Sequence, residues 1–176
     1  DTVVAKTELG HRIGNPDAKV KVVEFLSYTC PHCAEFARAS EGPIKLGYLA
    51  PGNINVEIRH LVRDPVDLTV GMLVNCGEPA KFAANHNAFL LGQERWIEPL
   101  GRSTQAHHQR WTVSGATGRR AIATDFGFYK IMERRGYRRT DIDRCLADEA
   151  MARKLAETSV ERQYATQIAI ERTRML

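Results

Sequence analysis

The clearest hydrophobic pattern lies near the start of the chain, where apolar residues dominate positions 19–28. The β-branched and aromatic side chains of this stretch predict a strand, and the near-continuous apolar run indicates burial on both faces. A turn-forming Asn-Pro-Asp precedes it at 15–17. Cys30 and Pro31 follow almost at once, and proline is favoured at the first position of a helix. A strand running directly into a helix is therefore expected here.

Residues 33–49 carry apolar side chains at roughly helical spacing, with Gly42-Pro43 expected to kink or interrupt the helix. Alternating apolar and polar residues then predict a second strand around 54–58. A right-handed strand–helix–strand crossover makes two such strands parallel. The first 62 residues thus indicate an α/β fold.

From Asp64-Pro65 onward the pattern is mostly helical. Asp64 is expected to cap a helix that ends near Gly77, and Thr140 to cap a long helix with an apolar face reaching Leu155. Five aromatic side chains are expected to fill the core of this helical part. They are Trp96, Trp111, Phe126, Phe128 and Tyr129.

Composition narrows the class of protein without identifying it. The 176 residues are 43% hydrophobic and 26% charged, with a net charge of +4, which is ordinary for a globular domain. No apolar run approaches the length of about 18 residues that a membrane-spanning helix needs. The first residues, 1–4, lack the features of a signal peptide, so we expect that any such peptide has been removed.

Four cysteines supply the candidate chemistry. Cys30 and Cys33 form a Cys-Pro-His-Cys motif, whereas Cys76 and Cys145 stand alone. One C-x-x-C is compatible with half a zinc site, a redox dithiol or coincidence, but a zinc ribbon needs a second close pair. One redox pair and one structural disulfide, Cys76–Cys145, fit the count better, with two independent buried thiols as the alternative. Structural disulfides indicate an oxidising compartment.

The position of Cys30 at a helix N-terminus favours its thiolate, because free N–H groups and the helix dipole attract an anion. Pro31 stiffens the turn, and His32 can add a donor and, when protonated, a positive charge. A stabilised thiolate makes the corresponding disulfide more oxidising. Cys33, one helical turn later, is placed to resolve a mixed disulfide and is expected to be the more buried thiol.

The segment from Glu24 to Cys33 resembles the active site of DsbA-type thiol–disulfide oxidoreductases. Residues 14–18 resemble the entry of these proteins into their first long strand, and residues 143–148 are similar to α-proteobacterial members that carry a second cysteine pair. The resemblance implies a thioredoxin-like fold with a helical insertion. Residues 1–63 would then start the thioredoxin-like domain, 64–157 would form the insertion, and 158–176 would return to the domain.

The same resemblance implies an activity and partners. DsbA-type proteins donate a disulfide to reduced, extended secreted proteins in the periplasm. They are reoxidised by a quinone-linked, DsbB-like membrane partner. No cofactor, metal or nucleic acid is implied, and the chain is not expected to be a membrane protein itself.

Two positions are more open. Glu24 lies within an apolar strand, where an acid is costly unless it has a role or a partner. The resemblance implies that it relays the proton of the buried cysteine, and the alternative is an ion pair with Lys21 or Lys45. Thr173 and Arg174 align with the family's cis-proline loop, where Arg174 replaces the proline. The chain stops there, so truncation, divergence and domain exchange all remain open, and the strand before Cys30 would have an exposed edge.

Three functions follow from these features. The first is a dithiol oxidase, which the Pro-His dipeptide favours. The second is a disulfide isomerase or reductase, and the third is a non-catalytic binding module with a vestigial dithiol.

Overall fold

A four-stranded mixed sheet carries the first part of the chain in the computed structural model, which describes residues 3–159. Its strands are β1 (Val4–Lys6), β2 (His11–Gly14), β3 (Val20–Leu26) and β4 (Ile54–His60). Their spatial order is β1-β2-β4-β3. The β1–β2 hairpin is antiparallel and packs antiparallel on β4, whereas β3 and β4 are parallel. The predicted strand–helix–strand unit is therefore confirmed.

The β1–β2 hairpin has no counterpart in the sequence prediction, because strands of three and four residues leave little periodicity to detect. Its turn is closed by the Thr7 amide, which donates to the Gly10 carbonyl at 2.9 Å. A Cβ atom on Gly10 would collide with the carbonyl of Ile58 in β4. Glycine at this position thus lets the hairpin approach the sheet.

The prediction that β3 is buried on both faces is wrong for the part of the chain that the structure describes. Val20 is 55% exposed, and Val22, Val23 and Phe25 are also exposed. The physical reason is that burial on both faces requires other elements to pack against both faces of the sheet. Within residues 3–159, β3 contacts mainly β4, and no strand pairs with its other edge. An exposed strand edge is a site for further pairing.

Helix α1 (Pro31–Ile44) follows β3 and connects it to β4. Gly42-Pro43 was predicted to kink or interrupt this helix; the helix is not interrupted there, and Pro43 lies within its last turn. The backbone changes only after Ile44, where residues Lys45–Leu49 form a π-helical turn. The wider turn ends with the Ala50 amide donating to the Lys45 carbonyl.

The rest of the described chain is helical, and its first helix, α2 (Pro65–Val74), is capped by Asp64 as predicted. The Oδ1 atom of Asp64 accepts from the Asp67 amide at 2.8 Å. The following helices are α3 (Phe82–Leu90), α4 (Gln93–Trp96), α5 (Glu98–Gly101), α6 (Gln105–Trp111), α7 (Ala116–Asp125), α8 (Phe128–Arg134), α9 (Arg139–Leu146) and α10 (149–159). None of the helices among the described residues is both long and apolar enough to cross a membrane.

The five predicted core aromatics are all buried, and the rings of four of them, all except Tyr129, pack together with that of Phe89. The rings of Trp96 and Phe128 meet edge to face with centroids 5.1 Å apart. The indole N–H groups also have partners: Trp96 donates to the Phe89 carbonyl and Trp111 to the Asp125 carboxylate. This cluster forms the core of the helical part.

The long helix predicted from Thr140 is wrong in both its start and its continuity. Arg138 occupies the N-cap position of α9, so Thr140 lies inside the first turn. The helix ends at Leu146, and α10 begins at 149 after a break at Asp148. Asp148 makes the new start favourable, because its Oδ1 accepts from the Met151 amide at 2.9 Å.

Cys76 and Cys145 are joined by a disulfide that links the end of α2 to α9, with Cα atoms 5.7 Å apart. Cys76 is buried, and its carbonyl accepts from the Tyr137 hydroxyl at 2.7 Å. The Asn85 amide group donates in turn to that hydroxyl at 2.8 Å. The bridge therefore lies within a hydrogen-bonded part of the helical core, away from Cys30 in the sequence.

Replacing Cys76 and Cys145 together by alanine should lower the free energy of unfolding by about 4 kcal/mol, because the loop of 69 residues is no longer closed in the unfolded chain. Urea denaturation without reductant measures the change. A Cys30→Ser/Cys33→Ser variant, which keeps the bridge, is the matched control. Non-reducing peptide mapping that finds Cys76 and Cys145 as free thiols in the oxidised protein would contradict the pairing.

Candidate functional site

Cys30 lies where β3 gives way to α1, at the carboxyl end of the parallel strands. It is the N-cap of α1, with extended φ and ψ of −86° and 116°, and Pro31 is the first helical residue. The Cys30 amide donates to the Ser27 carbonyl at 3.2 Å, which closes a tight turn after the strand. The sequence motif is therefore at the strand-to-helix corner that its chemistry needs.

The two thiols of the motif have different environments. Both are free and half-buried in this structure, with Cys33 lying deeper. Burial alone would raise the pKa of Cys30, but hydrogen bonds from the Cys33 backbone and thiol, the His32 backbone and the positive charge of Arg63 together lower it. Burial, together with the hydrogen bond to Cys30 and the charges of Cys30 and Glu24, raises the pKa of Cys33.

His32 acts on Cys30 through its backbone rather than its ring. The backbone of His32 forms a hydrogen bond to the sulfur of Cys30. The imidazole is 93% exposed, and its Nδ1 lies 3.8 Å from the Glu35 carboxylate. Contrary to expectation, the His32 ring therefore lies beside the Glu35 carboxylate, one helical turn away, and not against the Cys30 sulfur.

Glu24 is paired with Ile58 in the β3–β4 register and is half-buried. Burial raises its pKa, and its negative charge contributes to the raised pKa of Cys33. Across residues 3–159, no ion pair joins Glu24 to Lys21 or Lys45. The lysine-pairing alternative therefore has no support in this part of the chain.

Gln93 is a site residue that the sequence analysis missed. It belongs to α4 in the helical part, is 2% exposed, and its Nε2 donates to the carbonyls of Tyr28 and Cys30 at 2.6 and 3.0 Å. These two bonds fix the backbone on either side of Thr29. A single glutamine more than sixty positions from the motif carries no local sequence signal, so only the fold reveals it.

Asp67 was also missed, although it lies in the first turn of a correctly predicted helix. It is fully buried, and its carboxylate accepts from the Ser27 hydroxyl at 2.5 Å and the Tyr28 amide at 2.9 Å. The His60 Nε2 and the Arg63 amide donate to it at 2.7 and 3.0 Å. A buried carboxylate is stable only with such partners.

Tyr28 connects the corner to a group of buried histidines. Its hydroxyl is hydrogen-bonded to Nδ1 of His86 at 2.9 Å, and its ring meets the ring of His60 edge to face. Burial lowers the pKa of His86 to about 4, so its imidazole is neutral at pH 7. The contact between the corner and α3 therefore involves no net charge on His86.

The predicted substrate loop, Thr173 and Arg174, lies outside the described residues. The corner, its dithiol and the polar groups beneath it all lie within residues 3–159. Together, the parallel β3–α1–β4 unit, the helical insertion after β4 and the dithiol at the N-terminus of α1 define a dithiol protein of thioredoxin-like fold.

The family follows from comparison with known sequences. Residues 6–173 match the family model described as thioredoxin, and the chain belongs to this family. A solved protein-disulfide isomerase from Novosphingobium aromaticivorans is 50% identical, with a TM-score of 0.82 over 85% of this chain and 77% of that chain. The α-DsbA1 protein of Wolbachia pipientis, 19% identical, has a TM-score of 0.67 over 85% of this chain and 65% of that chain, which shows a shared fold.

A curated Rickettsia conorii relative carries the provisional name protein-disulfide oxidoreductase. It is 33% identical over 85 residues, which are 48% of this chain and 31% of the relative. The match thus spans about a third of the length of that relative. Another relative, from Rickettsia prowazekii, is 34% identical over the same length.

Alkylation of the reduced protein near neutral pH should label Cys30 at least tenfold faster than Cys33. The reason is that the pKa of Cys30 is lowered and that of Cys33 raised, while only the thiolate reacts. Mass spectrometry of quenched time points measures both rates. Cys30→Ser and Cys33→Ser variants serve as single-thiol controls, and faster labelling of Cys33 would overturn the assignment.

Replacing His32 by leucine should leave the pKa of Cys30 unchanged, because His32 acts on the sulfur through its backbone, which leucine retains, while its ring is 93% exposed. Glu35→Gln is the matched control: it removes the acid beside the ring, and the pKa of Cys30 should again stay the same. Thiolate absorbance near 240 nm follows both titrations. A higher Cys30 pKa in His32→Leu would show that the imidazole also acts on the thiolate.

Proposed function

We propose that this protein is a thiol–disulfide oxidoreductase that donates the Cys30–Cys33 disulfide to reduced, extended proteins. The observation that carries the proposal is the contrast between the two thiols, because Cys30 is stabilised as a thiolate at the start of α1 while Cys33 is not. A dithiol with this asymmetry releases its disulfide readily, since the reduced form is favoured.

The proposed reaction starts with the disulfide between Cys30 and Cys33. A substrate thiolate attacks the sulfur of Cys30, a new substrate–Cys30 disulfide forms, and Cys33 leaves with the electron pair and takes up a proton. A second substrate thiolate then attacks the substrate sulfur of the mixed disulfide and releases Cys30 as a thiolate. The substrate loses two electrons, and the dithiol gains them.

Glu24 is the proposed proton carrier for Cys33. Its negative charge acts on that thiol, and its raised pKa lets it hold a proton closer to neutral pH than an exposed glutamate does. A carboxylic acid with such a pKa can supply the proton that Cys33 takes up when the disulfide opens. Thr173 and Arg174 are proposed to lie at the substrate-binding loop, on the strength of the sequence resemblance alone.

The proposed setting is the periplasm, with a DsbB-like, quinone-linked membrane protein as the electron acceptor that restores the disulfide. The family membership and the two cysteine pairs support an oxidising compartment. The acceptor takes the two electrons that substrate oxidation leaves on Cys30 and Cys33.

A second candidate function is disulfide isomerisation, which the name of the Novosphingobium aromaticivorans neighbour favours at 50% identity. An isomerase needs Cys30 to attack substrate disulfides from the reduced state and to leave again without net electron transfer. The lowered pKa of Cys30 suits the attack, so the balance between the two activities depends on the reduction potential.

Oxidative refolding of a reduced protein substrate distinguishes these functions. We expect the oxidised chain to form substrate disulfides stoichiometrically without other oxidant, and to rearrange a scrambled substrate slowly. A potential near that of thioredoxin, with fast rearrangement of the scrambled substrate, would favour the isomerase. No exchange with either glutathione or protein would favour a binding module with a vestigial dithiol.

Glu24→Gln belongs in the same assay as a test of the proton carrier. Opening of the disulfide should slow several-fold above neutral pH, where solvent supplies fewer protons, and should change little at pH 5. Lys21→Gln is the matched control on the same strand. Equal slowing at both pH values would show that Glu24 acts in another way.

A further inference from the structure

The carboxyl ends of β3 and β4 are tied together by a carboxylate that lies in neither strand. After β3 the chain runs through Ser27 and Tyr28 to Cys30, and after β4 it runs through Arg63 into α2. One oxygen of Asp67, Oδ2, accepts both from the Ser27 hydroxyl at 2.5 Å and from the Arg63 amide at 3.0 Å. A single atom therefore bridges the segment that leads to the dithiol and the loop that carries Arg63.

The second oxygen of Asp67 holds the bridge in place. Its Oδ1 accepts from the Tyr28 amide at 2.9 Å and from His60 Nε2 at 2.7 Å. The neighbouring Asp64 adds a parallel link, because its Oδ2 accepts from the Thr29 hydroxyl at 2.6 Å. Each of the three residues before Cys30 is thus bonded to a carboxylate from the start of α2.

Capping of α2 does not account for this arrangement. The cap requires only that Asp64 accept the Asp67 amide, which it does at 2.8 Å. The Asp67 side chain makes its four bonds outside α2, to β4, to the loop after β4 and to the segment after β3. Burying a carboxylate is unfavourable unless such donors offset it, so these bonds hold the corner together.

Arg63 gives the bridge a chemical consequence. Its side chain is exposed, and its positive charge acts on the sulfur of Cys30 from a loop on the other parallel strand. The other groups that act on Cys30 are Cys33 and the backbone of His32, both on α1. Of these contributions to the Cys30 pKa, the one from Arg63 depends on how the loop after β4 is held against the strand-to-helix corner.

We infer that Asp67 is a positioning residue that holds the Arg63 loop against the strand-to-helix corner, so that the arginine charge stabilises the thiolate of Cys30. This inference rests on the proposed function for its relevance to disulfide exchange. It concerns how stable the Cys30 thiolate is, and hence how readily Cys30 reacts or leaves in disulfide exchange. It predicts that the effect of Arg63 on Cys30 depends on Asp67.

A double-mutant cycle tests that dependence. The rate of Cys30 alkylation is measured in the reduced full chain at a pH below the Cys30 pKa for wild type, Arg63→Gln, Asp67→Asn and the double variant. With Asp67 unchanged, Arg63→Gln should slow the alkylation of Cys30 about threefold, a size typical of a partly screened charge. In the Asp67→Asn background the same change should slow it by less than about 1.5-fold.

The cycle separates positioning from the direct charge of Asp67. Losing that negative charge alters the Cys30 rate in both backgrounds alike, so it cancels when the two effects of Arg63→Gln are compared. A threefold effect of Arg63→Gln in both backgrounds would overturn the inference. An absent effect in wild type would overturn it too.

Ser27→Ala provides a milder variant in case Asp67→Asn does not fold. It removes the hydroxyl bonded to Oδ2 but leaves the Asp67 carboxylate with three donors. The effect of Arg63→Gln should fall below twofold in this background, and an unchanged threefold effect would count against the bridge. Arg144→Gln, an exposed arginine paired with Asp141 on α9, is the matched control and should leave the Cys30 rate unchanged.

Failure of this inference is distinguishable from failure of the proposed function. Exchange of the wild-type dithiol with glutathione tests the function and does not involve the cycle. Normal exchange with additive effects of Arg63 and Asp67 overturns only the positioning role. No exchange overturns the proposed function, and the alkylation cycle still shows whether Asp67 positions Arg63.

Discussion

The Cys30 sulfur needs a fixed place at the start of α1, because the stabilisation of its thiolate falls off within the first turn of a helix. Pro31 sets the backbone of that turn, and the Cys30 amide is bonded to the Ser27 carbonyl before the helix begins. The parallel pairing of β3 with β4 then sets where the corner stands. Gln93 and Asp67 then hold the backbone that leads to this position.

Helices α2, α3 and α4 of the helical part are hydrogen-bonded to the strand-to-helix corner. Gln93 in α4 binds the carbonyls on both sides of Thr29, and Asp67 in α2 binds the amide and hydroxyl groups of the same segment. His86 in α3 is bonded to the Tyr28 hydroxyl. Three helices thus bond to Ser27, Tyr28 and Cys30, through backbone groups of Tyr28 and Cys30 and the hydroxyls of Ser27 and Tyr28. These contacts show how a long helical insertion can influence a motif that lies beside the sheet.

The sequence reveals the parts of this structure whose signals are local. The Cys-Pro-His-Cys corner and the Asp64 cap depend on neighbours within a few residues. β3 and β4 each have their own apolar pattern, and their parallel pairing follows from the right-handed crossover rule. The contact of Gln93 with Tyr28 spans 65 positions of sequence, and that of Asp67 with Ser27 spans 40. No local sequence pattern near Gln93 or Asp67 therefore predicts these contacts. The helix break at Asp148 was missed for a different reason, since an apolar face that continues across a capping residue has the same periodicity as one helix.

The burial of β3 shows a further limit of pattern reasoning. Its apolar run is typical of a strand covered on both faces, yet Val20, Val22, Val23 and Phe25 are exposed within residues 3–159. Composition reports what a strand can bury, whereas exposure depends on which other elements lie beside it. The same distinction applies to function. The protein-disulfide isomerase from Novosphingobium aromaticivorans shares this fold, so the architecture alone does not distinguish disulfide donation from isomerisation. What separates the two activities is the relative stability of the Cys30 thiolate and the disulfide, which the groups around one sulfur atom determine.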